Sequence, residues 1–177
     1  NCDNTEYEIE YCVTRYSPEH IAAWEEEHPG QKCKKYNFPS KKDTDNIGHF
    51  PFFPPKLMKK YQDKEEIQTL VLTEGYLKAM SASLAGIDIV GLGSVTLFKN
   101  PKTRELYADI KEIIRVCKVK RVIVLYDGDC RNLSEENVKQ MKDGVAADLS
   151  GRPHSFESNL RKIREELISV SNKLEVY

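Results

Sequence analysis

The chain has 177 residues, 40% of them apolar, enough to bury one good core with a smaller appendage and too few for two full domains. Its 27 lysines and arginines stand against 28 aspartates and glutamates, a formal charge of −1 that excludes a chain-wide basic footprint for nucleic acid and leaves only a local one. Five cysteines (Cys2, Cys12, Cys33, Cys117, Cys130) are scattered and form no C-x-x-C pair, which excludes a disulfide framework and predicts a reducing, cytoplasmic compartment.

Glu6 to Arg15 alternates charged residues with Ile9, Tyr11 and Val13, the pattern of an edge strand. Ser17 as N-cap, Pro18 at the first helical position and Glu19 in the first turn then open an amphipathic helix that carries Trp24 and stops near Pro29-Gly30. From Pro29 to Lys64 the composition shifts to five prolines, many aromatics and a run of lysines. Lys32, Lys34, Lys35, Lys41, Lys42, Lys59 and Lys60 are the candidate nucleic-acid contacts there, because single strands are held by cations on phosphates and rings on bases. The competing reading is a proline-rich arm whose rings pack on the next domain, and the run His49-Phe50-Pro51-Phe52-Phe53-Pro54-Pro55 favours it.

Beyond Glu65 the pattern alternates strand and helix. Ile67 to Thr73, Ile87 to Leu92 and Arg121 to Tyr126 read as strands. Tyr76 to Ala85 reads as a helix with Leu77, Met80 and Leu84 inward, and Glu105 to Cys117 as one with Leu106, Ile110, Ile113, Ile114 and Cys117 inward. Such alternation predicts right-handed crossovers and an open, mainly parallel sheet flanked by helices. Ser134-Glu135-Glu136 predicts a short helix running toward Leu149, and Ser155 onward a longer one carrying Leu160, Ile163, Leu167, Val170 and Leu174. The closing run Lys173 to Tyr177 reads as a strand just starting, which predicts a domain truncated at its C-terminal end. The expected organisation is a basic, proline- and aromatic-rich appendage over 1–65 and an α/β domain over 66–177. No apolar run approaches the roughly 18 to 20 residues that span a bilayer, so no membrane partner is expected.

The first and third strands of that domain end alike, in Thr73-Glu74-Gly75 and in Tyr126-Asp127-Gly128-Asp129. Ligands of open α/β sheets sit outside the carboxyl ends of the strands, so on neighbouring strands these acids would share one crevice. Converging carboxylates raise each other's pKa unless a cation neutralises them, and hard oxygen donors suit Mg²⁺ or Mn²⁺. Glu74, Asp127 and Asp129 are therefore the candidate metal ligands. Lys78, one helical turn beyond Glu74, would pair with it or reach a phosphate. Gly91-x-Gly93 lacks the third glycine of a dinucleotide loop, and His28 with Cys33 lacks the tight ligand spacing of a zinc site.

Glu74-Gly75-Tyr76-Leu77-Lys78, with Gly91-Leu92-Gly93-Ser94 and Tyr126-Asp127-Gly128-Asp129, resembles the Toprim domain over about Glu66 to Tyr177. The likeness looks nearest to DnaG-type bacterial primases and the primase-like replication proteins of phages and plasmids. It implies a Toprim-like α/β fold, Mg²⁺-dependent nucleotidyl or phosphoryl transfer in DNA replication, and DNA or RNA, nucleotides and a helicase as partners. It implies a catalytic or metal-holding role for Glu74 and metal coordination by Asp127 and Asp129. Lys78 stands where many members carry aspartate, which opens a second expectation, a non-catalytic nucleic-acid-binding module on the same fold. The segment Val124 to Asp129 also resembles the D-x-D strand end of haloacid-dehalogenase-type phosphohydrolases, though there the motif opens the domain.

Overall fold

The computed structural model describes residues 13–37, 49–127, 141–142, 145–146 and 152–177. The expectations for Lys41, Lys42, Asp129 and the start of the helix proposed from Ser134 lie outside them. Two compact units divide between His49 and Phe50.

In the first unit, β1 (Thr14–Arg15) pairs antiparallel with β2 (Tyr36–Asn37), and α1 (Pro18–Glu27) lies between them in the chain. The Ser17 hydroxyl accepts from the His20 N–H at 3.2 Å, satisfying one of the donors that the first turn leaves open. At the other end the His28 ring stacks on Trp24, with centroids 4.1 Å apart. No residue of α1 is buried, so local capping and ring stacking hold this helix more than a core does.

The second unit is a mixed α/β layer structure. After α2 (Pro55–Gln62) come β3 (Thr69–Glu74), α3 (Tyr76–Leu84), β4 (Ile89–Leu92), α4 (Ala108–Val116) and β5 (Arg121–Leu125). A short hairpin, β6 (Met141–Lys142) and β7 (Val145–Ala146), precedes α5 (Arg152–Val170) and β8 (Glu175–Val176). The sheet runs β4-β3-β5-β8 with every pair parallel. Helix α3 lies against β3 and β4 with Ala79 at Gly91, and the core residues of the sheet face α4 and α5, where α4 packs on α5. Leu70, Leu72, Val90, Leu92 and Val122 supply the sheet's share of the core, and Ile110, Ile114, Ile163 and Leu167 the helices' share.

Three expectations change. The stretch assigned to a loop-rich arm contains α2: Pro55 suits a first helical turn, where its missing N–H costs nothing, and Leu57 is buried in the α/β core. Residues 50–65 therefore pack with the sheet, and the rings of Phe53 and Tyr61 lie against its core. On α3 the buried residues are Ala79 and Ser83, while Leu77 and Leu84 are 43% and 70% exposed, because the helix turns its small side chains to the sheet. Met141–Lys142 pairs antiparallel with Val145–Ala146 where a helix was expected, and the sequence Asp-Gly that separates them disfavours helix. Among the described residues no helix is long and apolar enough to cross a membrane.

Glu166 of α5 ties the helical layer to the chain entering α4. Its carboxylate accepts from the Lys99 ammonium and from the Leu106 N–H, each at 3.1 Å. Burial pushes this carboxyl up, but the Leu106 N–H and Lys99 outweigh it and leave the group below its ordinary value of 4.5. A carboxyl depressed by folding adds stability above its unfolded pKa and withdraws it as pH falls through the folded one. Glu166→Gln should lower stability by about 1–3 kcal/mol at neutral pH. Its deficit against the parent should shrink as pH drops below 4.5, read by urea denaturation at stepped pH.

Candidate functional site

Glu74 is the last residue of β3, and the next residue must leave the sheet at once for α3. Gly75 does so at φ +96°, ψ 129°, a conformation that a side chain disfavours. Its N–H donates to the Leu92 carbonyl at 2.7 Å, and its own carbonyl accepts from Ala79 at 3.2 Å, so the turn is pinned to β4 and to the helix it starts. Gly91 makes the same approach possible from the other side. A Cβ there would stand 2.9 Å from the Ala79 Cβ and 3.3 Å from both the Gly75 carbonyl oxygen and the Tyr76 Cα. Real side chains do not sit so close; glycine on β4 and alanine on α3 let helix and sheet meet.

The second acid comes from β5. Thr73 pairs with Leu125, so Glu74 lies one residue past that rung on β3 and Asp127 two past it on β5. From β3 the chain crosses to β4, and from β5 it crosses the other way to β8, which makes the β3/β5 boundary the topological switch point. Lys78 stands in the first turn of α3, where the helix dipole disfavours a cation, and its ammonium ion-pairs with the Asp127 carboxylate. Both side chains are about half exposed (51% and 53%), so water screens the pair and its contribution to stability is about 0–1 kcal/mol. An exposed pair of this kind is readily opened by a competing cation.

Immediately before Asp127 comes Tyr126, whose ring packs against the core and which sequence reasoning passed over. Its hydroxyl is buried with no hydrogen-bond partner among the described residues, and its ring meets Phe156 of α5 edge-on at 6.4 Å. Burial, helped by the negative charge of Glu74, pushes the phenol well above its ordinary value of 10, so it stays neutral and can donate a proton in a hydrogen bond. An aromatic residue before D-G-D was visible in the sequence, but its loss of water was not.

The structure thus brings Glu74, Lys78 and Asp127 to one rim. Asp129 lies outside the described residues. Of the lysines, Lys32, Lys34 and Lys35 are exposed in the first unit, and Lys59 is exposed on α2. Lys60 is held at 2.9 Å by Asp88, an ion pair that a phosphate would have to displace. Glu74 and Asp127 offer hard oxygen donors of the kind that Mg²⁺ or Mn²⁺ takes, and the Lys78 ammonium already stands against Asp127. No protein-family model, curated protein or solved structure matches this chain.

Gly91→Ala and Gly75→Ala should each lower the unfolding free energy by about 1–3 kcal/mol, the first by overpacking and the second by backbone strain. Urea denaturation would show the loss; unchanged midpoints would mean that α3 and its turn are free to move.

Proposed function

We propose that the unit spanning 50–177 is a Toprim-type nucleic-acid-processing domain of a replication protein, with primase-like, Mg²⁺- or Mn²⁺-dependent nucleotidyl or phosphoryl transfer. The observation that carries this reading is the meeting of the β3 and β5 ends at the switch point, with Glu74 at the end of one strand and Asp127 two residues past the end of its neighbour. The D-G-D run continues past Asp127 to Asp129, which would add a third carboxylate. A bound divalent ion would neutralise phosphate oxygens and stabilise charge as it develops in the transfer.

The chain's own side chains then divide the work. Asp127 and Asp129 would hold the ion, and Glu74 would hold it or take a proton from an attacking hydroxyl. The Lys78 ammonium, which ion-pairs with Asp127, would turn to a phosphate when that carboxylate serves as an ion ligand. Tyr126, kept neutral, can donate to an oxygen in the same rim.

A non-catalytic nucleic-acid-binding module is the second reading. The Lys78–Asp127 pair favours it, because an internal cation already neutralises one of the acids.

Calorimetric titration with Mn²⁺ and Mg²⁺ tests the ion site. Asp127→Asn should weaken binding by about tenfold or more, equivalent to about 1.4 kcal/mol, with circular dichroism confirming an intact fold. Lys78→Met should bind the ion at least as tightly as the parent, since a competing cation is gone. Equal binding by parent and Asp127→Asn would sink the metal site. Primer synthesis on a single-stranded template by the parent chain, lost in Asp127→Asn, separates the catalytic reading from the binding one.

A further inference from the structure

Apart from the strand-end acids, the second unit has a cavity of about 320 Å³ walled by Phe50, Phe53, Met58 and Tyr61, with Asp109 and Glu112 of α4 on its lining. The two acids are three residues apart, so they share one face of the helix. Both are exposed, and neither has an ion-pair or hydrogen-bond partner among the described residues. Two of the lysines on the helices that wall the cavity are engaged elsewhere, Lys60 with Asp88 and Lys111 with Glu105, while Lys59 of α2 is exposed. Two carboxylates without an ion-pair partner among the described residues thus stand beside three aromatic rings.

That combination selects for one chemistry. Ring faces are negative, and a cation over them is attracted further when carboxylates stand nearby and water is partly excluded. The apolar wall of Met58, Pro51 and Ile113 needs a ligand with a hydrocarbon stem. A nucleotide could stack on the rings, but its phosphate would bring negative charge to two carboxylates. The volume is at the small end of the roughly 300–1,000 Å³ usual for ligand pockets, enough for one head group and its stem.

We propose that this cavity binds an organic cation, an alkylammonium or guanidinium group on an apolar stem. The group is supplied by a free amine or by a lysine or arginine side chain of another protein. This site is independent of the ion site at the strand ends.

The test titrates the full chain with benzylammonium and with its neutral counterpart benzyl alcohol, following the methyl signals of Met58 and Ile113 by NMR. Benzylammonium should bind about tenfold tighter or more. The preference should vanish in the doubly substituted Asp109→Asn, Glu112→Gln chain, whose changes lie on the exposed face of α4 and spare the core. A capped Gly-Arg-Gly peptide distinguishes the sources: tighter binding than benzylammonium assigns the site to a protein side chain, weaker binding to a free amine. Equal affinity for the charged and neutral probes, a preference that survives the double substitution, displacement by guanosine monophosphate, or no shift at all would each overturn the proposal.

Discussion

Parallel pairing of β3 with β5 is the constraint on which the rest depends. It sets two strand ends side by side, and the opposite directions of their crossovers leave a gap between the departing loops. No side chain creates that gap; it follows from strand order. What the side chains add is charge of one sign, carried by Glu74 and Asp127, and an internal counter-charge from Lys78.

Holding the rim in place falls to residues with almost no side chain. Gly91 and Ala79 bring α3 onto β4, and Gly75 turns the backbone between Glu74 and the helix. On the opposite face the burden is carried by volume and by one carboxylate, with Ile110, Ile163 and Leu167 filling the interior and Glu166 fastening α5 to the chain entering α4. The two faces are therefore built differently. One relies on close backbone approach and the other on bulky packing with an ion pair.

Much of this was legible in the sequence. The β-branched runs ending in acid and glycine marked β3 and β5, and the spacing of Leu106, Ile110, Ile113, Ile114 and Cys117 marked the buried side of α4. Parallel pairing was implied by the alternation of elements and β8 by its closing residues, while the strand order was not. Illegible were features that depend on what lies opposite. Leu77 and Leu84 look like an inward stripe until Gly91 admits Ala79 in their place. Pro54-Pro55 looks like a breaker until Pro55 is seen to start a helix whose Leu57 fills the core. The Lys78–Asp127 pair joins residues forty-nine apart, a distance at which local pattern carries no information.

Phe52 lends the fold a different kind of protection. Its backbone exchanges two hydrogen bonds with Gly91, at 2.7 and 2.9 Å, on the flank of β4 away from β3. Open strand flanks recruit foreign strands and seed aggregation. A recombinant piece trimmed to begin at β3 would strip that shield and leave a sticky border, so a well-behaved truncation starts no later than Phe50.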